Sequence, residues 1–375
     1  MKHIEALKTQ RLLSLDVFRG ITIALMILVN NLFLSPYVTL KHSAWNGCSL
    51  ADLIFPCFLF VVGVSLVFSL SKQIRQTPIS TVMRKTIQRT VIIFALGLML
   101  NAVPHHMTPE TIVTIRFFGV LQRIALCYLC VSLVYVTMTT AMQVLLFMLI
   151  LIGYWLVMMF LPLPGYGIGQ LTPDGNVAAY LDRALFGSSH LYGKVYDPEG
   201  LLSTLPAIAT TLLGSLTGTW LLSKVTTHQK LLGMVGVGSL CLLAGGLWDQ
   251  WFPINKALWT SSYVLWTGGW ALYGLAFCYW LIDIKRYQRW SKPFEIFGLN
   301  AIIVYFFHVV CLKIQYAIPM SCDHGSSCHL LSYISEYVFG WVSPSYAALY
   351  YSLSSVLFWF LIVWILYRHK IFIRV

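Results

Sequence analysis

Long apolar runs separated by short polar stretches make up most of this chain. Ten of them, at about 12–34, 49–70, 87–104, 117–138, 141–161, 200–222, 230–248, 258–281, 293–313 and 346–367, approach or exceed the ~20 residues a helix needs to cross a bilayer. The pattern predicts an all-α, polytopic transmembrane helical bundle of ten spans, with residues 1–375 as one domain. The longest connections, 162–199 and 314–345, are too short for a separate core. The first run is too long for a signal-peptide core and no small-residue cleavage pattern follows it, so it is expected to remain as the first span. No heptad array, internal repeat or low-complexity segment interrupts the pattern.

Composition agrees with a membrane protein. Of 375 residues, 58% are hydrophobic and 10% charged, with a net charge of +12. With the N-terminus in the cytoplasm, seventeen Lys and Arg fall on the inner side, six outside and two (Arg19, Arg123) within spans. That asymmetry fixes a topology with both termini cytoplasmic. It also explains the positive charge without nucleic acid. Most of the nine cysteines lie in apolar runs, where they act as small apolar side chains. Cys322 and Cys328, in "SCDHGSSCHL", read as a local disulfide; the interleaved His324 and His329 leave a metal site as the alternative, although no metal is expected.

Each ionisable residue inside a span needs a partner or a task. Asp16 and Arg19 are three apart and pair on one helical face. Asn30 and Asn31 stand near the end of the first run, one expected to bond across to another helix and one to face a cavity. Arg116 and Arg123 are seven apart; snorkelling accounts for Arg116, whereas Arg123 needs a buried carboxylate or a polar cavity. Asn300 and His308, eight apart in "FGLNAIIVYFFHVV", share a face of the ninth span. In "YDPEGLLSTLPAI", Asp197 reads as an N-cap, Pro198 as the first helical residue and Glu199 as a first-turn acid able to receive a cationic amine. Trp248, Trp251 and Trp259, beside Asp249, Asn255 and Lys256, suit an interfacial belt or stacking on a sugar.

The densest polar cluster precedes the second run, in "TLKHSAWNGCSLADLIFPCF". Ser49 and Asp52 form a capping pattern. Capping does not need His42, which lies with Lys41, Trp45, Asn46 and Asp52 at the mouth of two spans. A neutral imidazole held by a carboxylate or amide can serve as base or nucleophile. These groups predict a polar cavity walled by the first, second, fourth and ninth spans. They do not separate a transferase from a carrier.

The blocks "RLLSLDVFRGITIALMILVNN", "KHSAWNGCSLADLIFPCFLFVVGVSL", "RFFGVLQRIALCYL", "YDPEGLLSTLPAI", "FPINKALWTSSYVL" and "FGLNAIIVYFFH", in order over about residues 11–310, resemble the heparan-α-glucosaminide N-acetyltransferase family and its short bacterial NagX-type members. The resemblance implies a multi-helix enzyme moving acetyl from cytoplasmic acetyl-CoA to a glucosamine amine on the far side. It places the catalytic histidine at His42 and an assisting asparagine at Asn30, with Asn31 as a substitute, because one extra residue separates the two blocks. Asp52 is expected to orient a proton. Trp45, Asn46, Arg116, Arg123, Glu199, Lys256, Asn300 and His308 are expected around the amino sugar, and Arg84, Lys85, Arg89, Lys285 and Arg286 at the CoA phosphates. The lysosomal member carries a luminal region ahead of its catalytic spans, whereas this chain starts almost at the first; free glucosamine or a small cell-wall fragment is therefore the expected acceptor. A bacterial inner membrane and a homodimer complete the expectation. An amino-sugar permease, or an O-acyltransferase acting on an envelope glycan, are the alternatives.

Overall fold

The computed structural model describes residues 12–32, 40–103, 115–321 and 327–372. Cys322 and His324 lie outside them; Cys328 is disulfide-bonded. Among the described residues the chain is all-α apart from one small hairpin, in which β1 (Pro319–Ser321) pairs antiparallel with β2 (Ser327–His329). The helices are α1 (Leu13–Asn30), α2 (Leu50–Gln76), α3 (Ile79–Ala102), α4 (Val120–Thr137), α5 (Thr140–Phe160), α6 (Val177–Phe186), α7 (Leu201–Leu222), α8 (Thr227–Trp248), α9 (Ser261–Cys278), α10 (Lys292–Leu299), α11 (Ala301–Ala317), α12 (Leu330–Phe339) and α13 (Pro344–Arg368). A π-helical turn, Tyr279–Ile284, extends α9.

Among the described residues, seven helices are long and apolar enough to cross a membrane, and the bent α10–α11 pair makes an eighth if it is one span. The chain is a multi-pass membrane protein. Of the other segments expected to span, α3 carries Arg84, Lys85 and Arg89, and α9 is rich in Gly, Ser and aromatic residues. Both fold as helices, but neither has the apolar run of the seven.

α2 runs through the middle, packing against α7, α1, α9 and α4. Glycines set the closest approaches. A Cβ at Gly63 would strike the Thr211 carbonyl and one at Gly214 the Phe60 carbonyl, so α2 and α7 meet backbone to backbone. α1 and α10 do the same through Gly20 and Gly298. By contrast α8 and α13 are only 22% buried along their apolar windows and turn leucines such as Leu240 and Leu357 outward, as lipid-facing helices do.

Three local expectations need correction. The ninth apolar run is not one straight helix: it breaks at Asn300 with a bend of 73°, which takes Asn300 and His308 off a common face. α7 starts at Leu201 with Gly200 as its N-cap, so Asp197, Pro198 and Glu199 precede it. Asn31 bonds not across to another helix but to Ile27 O of its own, at 2.7 Å.

Candidate functional site

Asp52 has two oxygens and two tasks. Oδ2 accepts from Ser49 N at 3.1 Å, Ser49 Oγ at 3.0 Å and Ser43 N at 3.0 Å, which closes the cap of α2 and folds the preceding loop over it. Oδ1 lies 2.7 Å from His42 Nδ1 and 3.2 Å from Lys256 Nζ. Capping and orientation, alternatives in the sequence, are thus both present in a carboxylate with 1% of its side chain exposed. The His42 imidazole is half exposed, and with Nδ1–H donating to Asp52 its Nε2 keeps the lone pair.

The loop that presents His42 is clamped along its length. Gly47, at φ +101°, takes a backbone conformation that favours glycine, and its N–H donates to Ile254 O at 2.7 Å. Asn255 Nδ2 donates to Asn46 Oδ1, and Trp45 Nε1 to Leu171 O at 2.9 Å. Trp45 also packs edge-on to Tyr196. Trp45 Nε1 and Asn46 Oδ1 are therefore engaged by protein. The same clamp carries Lys256 to the dyad, with Nζ 3.0 Å from His42 Nδ1. Cys48, beside Asp52, is no competing nucleophile, because burial, helped by the Asp52 charge, pushes its thiol up to about 12.

His42 faces a cavity of about 140 Å³ lined also by Asn30, Glu199, Lys256 and Tyr305 over an apolar floor that includes Met26, Ile54 and Phe55. Asn30 reaches it as expected. So does Glu199, and its setting reverses the sequence reading of the two arginines. Arg116 is the one with carboxylates: its Nε donates to Asp197 Oδ2 at 2.7 Å, and Nη2 to both Asp197 Oδ1 and Glu199 Oε2. Burial opposes its charge, yet Glu199 and Asp197 hold the guanidinium above its ordinary value. Arg123, fully buried, donates instead to Gly200 O and Ser203 Oγ and lies against the Trp259 ring at 4.9 Å. Asp182, which drew no attention in the sequence, accepts from Leu201 N at 3.0 Å and so caps α7 from α6. Burial pushes Asp182 up to about 6.

Other expected residues stand apart. Asn300 is 1% exposed and donates to Ile371 O; His308 is 2% exposed and packs edge-on to Trp359. Neither lines the cavity. Trp259 is buried with its Nε1 on Thr210 Oγ1, so it offers no face to a sugar. Arg84 and Lys85 are exposed on α3, Arg89 lies over the Tyr128 ring, and Lys285 and Arg286 follow the π turn beyond α9. These five fall in two groups, three on α3 and two just past the π turn.

Residues 11–244 match the family described as heparan-alpha-glucosaminide N-acetyltransferase, catalytic. Over 97% of its length the chain is 29% identical to the Homo sapiens heparan-alpha-glucosaminide N-acetyltransferase and 27% identical to that of Mus musculus. The aligned region is 60% of each relative, so the chain spans about three-fifths of their length. The match begins ahead of α1, takes in the loop of His42 and Asp52 and the 197–203 segment, and covers well over half of the residues: the chain belongs to the heparan-alpha-glucosaminide N-acetyltransferase family.

Proposed function

We propose that the protein is a transmembrane N-acetyltransferase that moves acetyl from cytoplasmic acetyl-CoA to the amine of glucosamine or a small glucosaminide on the far side of a bacterial inner membrane. The observation that carries this reading is an imidazole fixed by a buried carboxylate, its Nε2 3.5 Å from Lys256 Nζ, beside a cavity that holds an asparagine and a second carboxylate. The family membership and the named activity of its relatives support it.

In this mechanism His42 Nε2 takes a proton from the acceptor ammonium, and the freed amine attacks the thioester carbonyl carbon. A C–N bond forms and the C–S bond breaks; His42 hands its proton to the leaving thiolate, then takes the second proton from the new amide nitrogen and releases it to solvent. Asp52 holds the ring through Nδ1 and balances the imidazolium, while Lys256 offsets the carboxylate charge between turnovers. The Asn30 amide faces the developing oxyanion. Acetyl-CoA supplies the acyl group, with its phosphates at Arg84, Lys85, Arg89, Lys285 and Arg286. Arg89 fits an anion: its buried Nε has no hydrogen-bond partner among the described residues.

The test uses proteoliposomes with labelled acetyl-CoA at the cytoplasmic face and glucosamine at the other. Labelled N-acetylglucosamine from wild type, lost in His42→Ala, is the expected result. Full transfer by His42→Ala removes the histidine from the chemistry. Uptake of unmodified sugar with acetyl-CoA intact identifies a permease instead.

A further inference from the structure

Two carboxylates face the cavity region, and only one has an oxygen to spare. On Asp52, Oδ1 meets His42 and Lys256, and Oδ2 takes three donors from residues 43 and 49. Glu199 spends Oε2 on Arg116, while Oε1 has no hydrogen bond among the described residues. Glu199 also lines the same cavity as His42.

The surrounding charges leave Glu199 available. Arg116 is shared between two carboxylates, with Asp197 holding it at both Nε and Nη2. Behind them Arg123 and Asp182 carry opposite charges. Lys313 Nζ is turned onto Leu100 O and Val103 O, and Lys256 is drawn to Asp52. The backbone of Glu199 is pinned on both sides: its N–H donates to Asp197 Oδ1 at 2.9 Å, Arg123 donates to Gly200 O, and Leu201 N donates to Asp182. A Cβ at Gly200 would strike Asp182 Oδ2, so the turn admits little movement there. This carboxylate is held in place without being used up.

We infer that Glu199 is the docking group for the acceptor's ammonium, and that it makes the cavity selective for amine over neutral acceptors. The inference rests on the acetyl-transfer reading above. Glu199 Oε1 accepts a charge-assisted hydrogen bond from the ammonium before His42 removes its proton. Arg116, Asp197, Arg123 and Asp182 act as positioning residues for it.

The experiment compares wild type, Glu199→Gln and Glu199→Asp with two acceptors, glucosamine and hydroxylamine, the latter uncharged near neutral pH. A hydrogen bond to a charged group is worth about 1.5–3 kcal/mol, so Glu199→Gln should raise the KM for glucosamine by at least about tenfold. Hydroxylamine transfer should stay within about twofold, and Glu199→Asp should recover part of the glucosamine loss. In wild type, glucose should inhibit hydroxylamine transfer at least about tenfold more weakly than glucosamine. That comparison needs no variant to fold. Unchanged KM for glucosamine in Glu199→Gln, equal losses on both acceptors, or equal inhibition by the two sugars overturns the docking role alone. Wild type inactive on both acceptors overturns acetyl transfer itself, and the docking role with it.

Discussion

His42 and Asp52 are ten residues apart, and that proximity made the pair legible in the sequence. What stayed hidden was that the carboxylate divides its oxygens, capping α2 with one and holding the imidazole with the other. Asp52→Asn keeps an oxygen for the cap but loses the charge that balances an imidazolium. It should lower kcat by about 10²–10⁴-fold, with a folded, monodisperse protein on size exclusion. Arg116 and Arg123 were both legible as needing company, but their spacing says nothing about which one meets an acid, because the acids lie some eighty residues away. Asp182 was invisible for the same reason: its importance comes from the helix end brought to it. With its carboxyl at about 6 when folded against 3.8 as the ordinary value, Asp182 favours folding below about pH 4 and loses that contribution as pH rises through 6. Asp182→Asn should therefore flatten the fall in thermal stability between pH 3 and pH 7 by up to about 3 kcal/mol, read by melting at each pH.

At the level of elements, apolar length located every helix of the core, whereas ends and breaks depended on neighbours. The only proline in the run at 293–313 is Pro293 at its start, and none marks its break. The bend at Asn300 coincides with a tertiary contact: α10 lies against α1 with Gly298 over Asp16 O, and Arg19 donates to Gly298 O. Gly298→Ala has no room for its methyl. It should destabilise the protein by about 1–3 kcal/mol, seen as a lower melting temperature in detergent. Similarly, Asp197-Pro198-Glu199 has the composition of a helix start, yet the arginine draws both acids out of that role and the helix begins at Leu201. Local propensity lost to a buried ion pair.

For the whole molecule, the distribution of Lys and Arg predicts the loop of His42 and the 162–199 connection on one side and the α7–α8 turn on the other. Exposed Ser189 and His228 sample the two sides. With exposed Cys311 replaced by serine, an impermeant maleimide on intact cells should label Ser189→Cys and leave His228→Cys unlabelled until lysis; the reverse pattern inverts the topology. The membrane character was plain from the sequence, but the cavity was only partly so. The first and second spans were expected to wall it and do, while the ninth contributes Tyr305 rather than His308 or Asn300.

The clamp between Gly47 and Ile254 brings together His42 and Lys256, which are 214 residues apart in the chain. At about 5–20 residues per second of synthesis, the histidine leaves the ribosome about 10–40 s before its lysine. Through that interval Asp52 has its cap but not its cation, and the loop lacks the strand-like bridge that orients it. A nascent chain stalled before residue 254 should thus be a membrane-inserted yet chemically silent protein, and competence should arrive abruptly once the α8–α9 connection has emerged and docked.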